Sequence, residues 1–267
     1  MWIDTHCHLD AGEFDGNSLA IAAQAAQQGV ALIVIPAVAR ANFATVAALA
    51  QQAANGVYAL GIHPMYVAQA EVDDLQVLRT AVEAALSDPR FVAIGEIGLD
   101  FFVPELKQGE LRDKQEFFYT EQLKLAREFQ LPVLLHVRRS QDIILKHLRR
   151  IRVPGGIAHA FNGSFQQAQT FIELGFRLGF GGAMTFPRAL QIRRLASELP
   201  LAAIVLETDA PDIAPAWLHP QPNVPAQIPR IGEVLAQLRN LSPAEVAEAT
   251  SFNARQVLSR LPAWSHA

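Results

Sequence analysis

The chain has 267 residues, 51% hydrophobic and 18% charged, which is ample material for a sizeable core and no compositional sign of disorder. A formal net charge of -4 excludes the strongly basic surface with which proteins coat nucleic acid, so any nucleic-acid contact is expected to be local. The longest strongly apolar stretch, residues 30–39, contains Pro36 and falls well short of the ~20 residues a membrane helix needs.

In chain order, eight short runs rich in Val, Ile, Leu and Phe read as strands, at residues 2–8, 30–37, 57–63, 91–98, 132–137, 156–160, 177–181 and 203–209. Helical stretches follow them, among them residues 18–28, 42–54, 73–86, 110–129 and 140–149. No Ser/Gly linker or charge block interrupts the series, so one domain over residues 1–267 is expected. Residues 211–229 are Pro-rich and read as a long loop, and a final helix pair is predicted at 226–239 and 243–258. The N-terminus lacks the basic segment and apolar core of a secretory signal, and the lone Cys7 has no partner for an internal disulfide. Both fit a reducing compartment, so a cytoplasmic protein, monomeric and without membrane contact, is expected.

Repeated strand-then-helix units give either a closed barrel or an open doubly wound sheet. No G-x-G-x-x-G follows the first run, which argues against a dinucleotide fold. Ionisable residues instead stand at or near the C-terminal ends of the first, third, fourth, fifth, sixth and eighth runs, and a closed barrel gathers those ends on one face. The predicted fold is therefore α/β, a (β/α)8 TIM barrel, whose usual size of ~250 residues matches this chain.

Several of these residues have the chemistry of metal ligands. In Asp4-Thr5-His6-Cys7-His8, side chains two apart on a strand share a face, so His6 and His8 can chelate one ion with Asp4 beside them. Cys7 then points away, into the layer between barrel and helices. Glu96 is a carboxylate inside an apolar strand, a position that demands a metal ion or an arginine partner. His136 and His159 end adjacent strands and can supply neutral nitrogen ligands, or can be core histidines. Asp209 ends the last strand, as a ligand or a helix cap; Glu207, lower in the barrel, reads as a structural ion pair, and Asp100, past its strand end, as a cap or hydrogen-bonding group or else a catalytic one.

The set Asp4-Thr5-His6-Cys7-His8-Leu9-Asp10, Gly95-Glu96-Ile97-Gly98-Leu99-Asp100, His136-Val137-Arg138, His159-Ala160-Phe161 and Glu207-Thr208-Asp209-Ala210-Pro211 resembles the TatD family of metal-dependent deoxyribonucleases along essentially the whole chain. The resemblance implies that His6 and His8 hold one metal, that His136 and His159 hold the other, that Glu96 bridges both and that Asp209 completes the first site. Val137 and Ser140, around Arg138, depart from the small residues usual there. The wider amidohydrolase group often bridges its metals with a carbamylated Lys on the fourth strand, which here carries Glu96 and no Lys.

Two divalent ions with Glu96, Asp209 and a bridging hydroxide would leave about one net positive charge, suited to a phosphodiester monoanion. Four imidazoles in the ligand set favour Zn²⁺, Mn²⁺, Fe²⁺ or Ni²⁺, with Mg²⁺ the poorer match. His63, Arg138 and Arg188 follow strands toward the mouth and are the candidate contacts to substrate phosphate, while Arg149, Arg150 and Arg152 complement the end of a helix. Tyr66, Phe101, Phe161, Phe186 and Trp217 are candidates to stack bases. The expected activity is hydrolysis of phosphoester bonds, as a single-stranded DNA exonuclease. An amidohydrolase acting on C–N or carboxylic ester bonds, and a catalytically retired binding or quality-control factor, are the alternatives.

Overall fold

The apolar runs form eight parallel strands, each hydrogen-bonded to its neighbour in chain order. They are β1 (Trp2–Asp4), β2 (Val30–Pro36), β3 (Gly56–Leu60), β4 (Phe91–Asp100), β5 (Val133–Arg138), β6 (Gly156–Ala158), β7 (Phe176–Phe180) and β8 (Ile204–Leu206) in a computed structural model that describes residues 1–262. Bonds from Thr5 N to Leu206 O (3.1 Å), from Asp209 N to His6 O (2.8 Å) and from His8 N to Ala210 O (2.8 Å) join the last strand to the first. The sheet thereby closes into the (β/α)8 TIM barrel, with no edge left to pair.

Helices α1 (Ser18–Gln27), α2 (Phe43–Gln52), α3 (Asp73–Ala85), α4 (Gly109–Glu128), α5 (Gln141–Arg150), α6 (Phe165–Glu173), α7 (Leu190–Glu198), α8 (Ile228–Arg239) and α9 (Pro243–Val257) surround it. Their local signals are ordinary. Reciprocal capping boxes, Ser164 with Gln167 and Ser242 with Glu245, start α6 and α9, and Pro243 takes the first turn of α9, where no N–H is needed. The stripe Ile228, Ile231, Leu235 buries one face of α8. No helix among the described residues is long and apolar enough to cross a membrane.

Two apolar clusters follow from strand alternation. Ile3, Leu32, Val34, Val57, Ala59, Val92, Leu134, Ile157 and Val205 fill the barrel interior, where Ala254, Leu258 and Leu261 from and after α9 plug one end. The larger cluster, which includes Cys7, lies between barrel and helices. Cys7 is fully buried there, as its orientation opposite His6 and His8 requires.

The strands stop short of several residues predicted to end them. Pairing in β1, β3, β6 and β8 finishes one to four residues before His6 and His8, His63, His159 and Asp209, which lie beyond the regular ladder. The chain bends at Thr5, and this breaks the alternation that would keep Asp4 on the His6 and His8 face. Asp4 turns instead to Thr208, accepting from its N (2.9 Å) and Oγ1 (2.5 Å). In β4 the register with β5 shifts between Ile94 and Ile97, and Glu96 sits in that irregularity, its N–H bonded to Ala37 O (2.9 Å). A bulge of this kind re-aims a side chain, here toward the barrel axis.

Helix α4 carries two buried glutamines seven residues apart on one face, which replace missing strand partners. Gln122 bonds the backbone of Ile62 in both directions, accepting from its N at 2.7 Å and donating to its O at 3.0 Å. Gln115 does the same for Asp100, at 2.9 and 3.2 Å. Each amide holds the backbone where a chain leaves the sheet, just before His63 in one case and at Asp100 in the other. Gln122→Ala strands a buried donor and a buried acceptor, so urea unfolding should show a loss of about 2 to 4 kcal/mol. A loss under about 0.5 kcal/mol would show that water replaces the amide.

Candidate metal centre

At the C-terminal ends of the strands lies a cavity of about 1400 Å³, with Glu96 at its floor. Glu96 is 1% exposed and meets no Lys or Arg; its neighbours are imidazoles. Its two oxygens divide them. Oε2 lies 3.1 Å from His6 Nε2 and 3.4 Å from His8 Nε2. Oε1 lies 3.0 Å from His136 Nδ1 and 3.3 Å from both His159 Nε2 and His63 Nε2. Asp209 Oδ1 stands over the first group, 3.6 Å from His8 Nε2 and 3.8 Å from His6 Nε2. The rings of His6 and His159 stack at 4.0 Å. All six residues predicted as ligands therefore converge, with His63 among them.

The donor atoms suit divalent cations. His6, His8 and Asp209 offer atoms within 4.8 Å of one another, and so do His6, Glu96 and His159, and His63, Glu96 and His136. His6 Nδ1 and Glu207 Oε2 are buried without a hydrogen-bond partner. A cluster so rich in imidazole and carboxylate, with no basic side chain to balance it, is the composition of a metal site.

The second ring nitrogens sort the histidines. His63 Nδ1 accepts from Met65 N (3.2 Å), so its proton is on Nε2 and that nitrogen donates toward Glu96. A neutral His63 has no lone pair to offer on the side facing the cluster. His136 is the reverse case: Nε2 donates to Asp100 Oδ2 (2.9 Å), which leaves Nδ1, beside Glu96, free to ligate. His159 Nδ1 faces Glu207 Oε1 (3.4 Å) and its Nε2 faces Glu96. The carboxylates of Asp100 and Glu207 thus orient the two rings from behind.

Asp100 is itself pinned, accepting from Phe102 N (2.7 Å) and Val103 N (2.9 Å). Against its burial, the His136 and backbone hydrogen bonds hold its carboxyl at about 2. Asp100 is thus a hydrogen-bond acceptor and caps no helix, the following one starting at Pro104 without a side-chain cap. Glu207, read as a structural ion pair, has no Lys or Arg partner: it accepts from Ala160 N (2.5 Å) and backs His159. The room for it is made by Gly179, whose absent Cβ would stand 2.0 Å from Glu207 Oε2.

Electrostatics follow the same division. Burial pushes His6 down to about 3 and His63 to about 4. Burial alone would raise Glu96, but the surrounding His63, His6 and His159 outweigh it and hold the carboxyl well below the usual range. Burial opposes charge on His159 and His136 too, yet the carboxylates beside them win and both rise above the ordinary imidazole value. Asp209 is raised by burial to about 6, against the pull of His159 and His8.

The remaining predicted residues are scattered. Arg138 lines the cavity; Arg188 is exposed on the bend after β7 and does not line it. Of the aromatic candidates, Tyr66 lines the cavity and is 46% exposed, while Phe161 lines it almost wholly buried. Phe101 turns out to Arg112 (4.7 Å), Phe186 to His219, and Trp217 is held by Gln227 and Arg230, so none of the three faces the cavity. The ring that does is the neighbouring Phe102, and adjacent phenylalanines give no sign in the sequence of which one faces inward. Arg149 and Arg150 lie in the last turn of α5, as expected.

Comparison with known proteins agrees with this geometry. Residues 3–259 match the family described as TatD related DNase. The metal-dependent hydrolase YjjV of Escherichia coli is 42% identical over 253 residues, covering 94% of this chain and 95% of that one. Its crystal structure superposes with a TM-score of 0.91 at 41% identity, over 97% of this chain and 98% of that one. A protein of Rahnella named 3'-5' ssDNA/RNA exonuclease TatD is 31% identical, covering 94% and 96% of the two chains. The chain is therefore a member of the TatD family of metal-dependent hydrolases.

Proposed function

We propose that this hydrolase cleaves phosphodiester bonds at the ends of single-stranded nucleic acid. The observation that carries the reading is the division of the Glu96 oxygens between two groups of imidazoles at the floor of a cavity. One carboxylate so placed can serve two cation sites, His6, His8 and Asp209 on one side, His136 and His159 on the other. Divalent cations there would supply positive charge for a phosphoryl group and lower the pKa of water. The cavity, about 1400 Å³, exceeds the 300–1,000 Å³ or so typical of small-molecule pockets and suits the end of a polymer. A relative of similar length is named as an exonuclease of single-stranded DNA and RNA, which supports the substrate class.

Within this reading each side chain has a task. Asp209, at the mouth side of the cluster, takes a proton from the attacking water. His63, whose Nε2 carries a proton, donates to a phosphate or leaving-group oxygen. Arg138, 48% exposed and on the cavity wall, pairs with a phosphate. Unpairing a duplex end costs a few kcal/mol, so single strands are the better substrate.

Four outcomes are expected. Elemental analysis of protein reconstituted with Zn²⁺ or Mn²⁺ should give two ions per chain, and Glu96→Gln should lower that number; one ion in both proteins would remove the bridging role. Asp100→Ala, which removes the acceptor behind His136, should weaken metal binding about 10- to 100-fold in a calorimetric titration. His63→Gln should keep the metal and lower kcat; metal loss in His63→Gln instead would make it a ligand. Asp209→Asn should lower kcat on an end-labelled single-stranded oligonucleotide by about 10²- to 10⁴-fold. Cleavage of an amide panel with oligonucleotides untouched would replace the proposal with the amidohydrolase reading.

A further inference from the structure

The wall of the cavity beyond β4 and β5 holds more positive charge than the contact of Arg138 with one phosphate requires. Phe102 is 45% exposed, and two guanidiniums lie on it: Arg138 Cζ is 3.8 Å from the ring centroid and Arg139 Cζ is 4.7 Å. All three residues line the cavity. Arg139 is held in the left-handed region, at φ 56°, a conformation that bulky side chains rarely adopt. The backbone thus accepts a cost while two like charges are brought together on one ring.

Arg138 has only a long carboxylate contact and Arg139 has none among the described residues. Asp100 Oδ2 is 3.9 Å from Arg138 Nη1, but that oxygen already accepts from His136. Among the described residues no carboxylate forms an ion pair with Arg139. The next residue sharpens the point. Ser140 stands at the N-cap of α5, yet its hydroxyl donates to Leu99 O (2.6 Å) and caps nothing, so the first N–H groups of α5 have no side-chain partner there. Gln141, the first residue of the helix, also lines the cavity. Two cations and a helix N-terminus converge on one stretch of wall.

The opposite wall has the opposite sign. Asp10, Glu13 and Asp212 line the cavity near β1 and β8, which stand across the ring from β4 and β5. An anionic polymer with one phosphate over Glu96 is repelled on that side and drawn to the other.

We infer that Arg139, Arg138 and Phe102 form a second anion subsite, which takes a phosphate of the same strand next to the one being cleaved. The subsite rests on the proposed nucleic-acid reading and adds to it. It makes a substrate with two or more phosphates better than a small diester, and it sets the side of the barrel on which the strand leaves. Phe102 holds the two guanidiniums together by cation–π contact, so that a phosphate meets both at once.

The test compares metal-loaded wild type, Arg139→Gln, Phe102→Leu and Arg149→Gln, the last at the far end of α5 as a control for net charge. For each, kcat/KM is measured on a short single-stranded oligonucleotide and on bis(p-nitrophenyl) phosphate. Binding of a phosphorothioate oligonucleotide is followed by anisotropy across a salt series. In Arg139→Gln the ratio of the two kcat/KM values should fall about tenfold, the worth of a charged hydrogen bond. The slope of log K against log salt should become shallower by about 0.7, one phosphate's share on a single strand. Phe102→Leu should lower the ratio in the same direction, and Arg149→Gln should leave ratio and slope as in wild type. An unchanged ratio and slope in Arg139→Gln would overturn the subsite. Should wild type cleave neither ester, the phosphodiesterase reading fails by itself and the binding series decides the subsite: weaker binding by Arg139→Gln sustains it, and equal binding ends it.

Discussion

A carboxylate on the floor of a closed barrel has to be answered by positive charge, and Glu96 is answered by imidazoles alone. Ionised and 1% exposed, it would be untenable among hydrocarbon neighbours. Five histidines from four strand ends surround it: His6 and His8 share the segment after β1, His63 and His159 lie just past β3 and β6, and His136 is within β5. The irregular ends of β1, β3, β6 and β8 and the register shift in β4 are the local cost of that convergence. Barrel closure makes it feasible, because only a ring brings the ends of β1 and β5 to opposite sides of one point.

Orientation comes from a layer behind the rings. Asp100 holds His136, Glu207 backs His159 and the Met65 N–H fixes the tautomer of His63. These contacts set His136 and His159, with a nitrogen available toward the centre, apart from His63, which presents a proton to it. Asp100 depends in turn on Gln115, and the segment before His63 on Gln122. One face of α4 therefore positions two arms of the site, a coupling of packing to chemistry that no single motif contains.

The rim carries the less symmetric information. Basic and aromatic groups lie by β4 and β5, acidic groups by β1 and β8, and a chain whose net charge is -4 concentrates its usable positive field on one wall.

Composition and period sufficed for the fold: eight apolar runs with helices between them leave few alternatives, and charged residues at their ends favour the closed one. The side chains that converge at the barrel mouth were legible as well, since a buried Glu96 in an apolar strand and an H-x-H at a strand end are local anomalies with few explanations. What the sequence could not reveal depended on geometry between distant segments. The bend at Thr5, which turns Asp4 away to Thr208, follows from closure of β1 against β8 and leaves no mark in residues 2–8. Two adjacent phenylalanines are equivalent until a loop turns Phe102 into the cavity and Phe101 to Arg112. Arg188 and Arg138 both follow strands, yet only the path of the chain after β7 and β5 puts one outside the wall and the other on it. Period and burial are properties of a segment and can be read along it; the direction of a side chain beyond the last paired residue is set by its neighbours in space, and only the closed barrel supplies them.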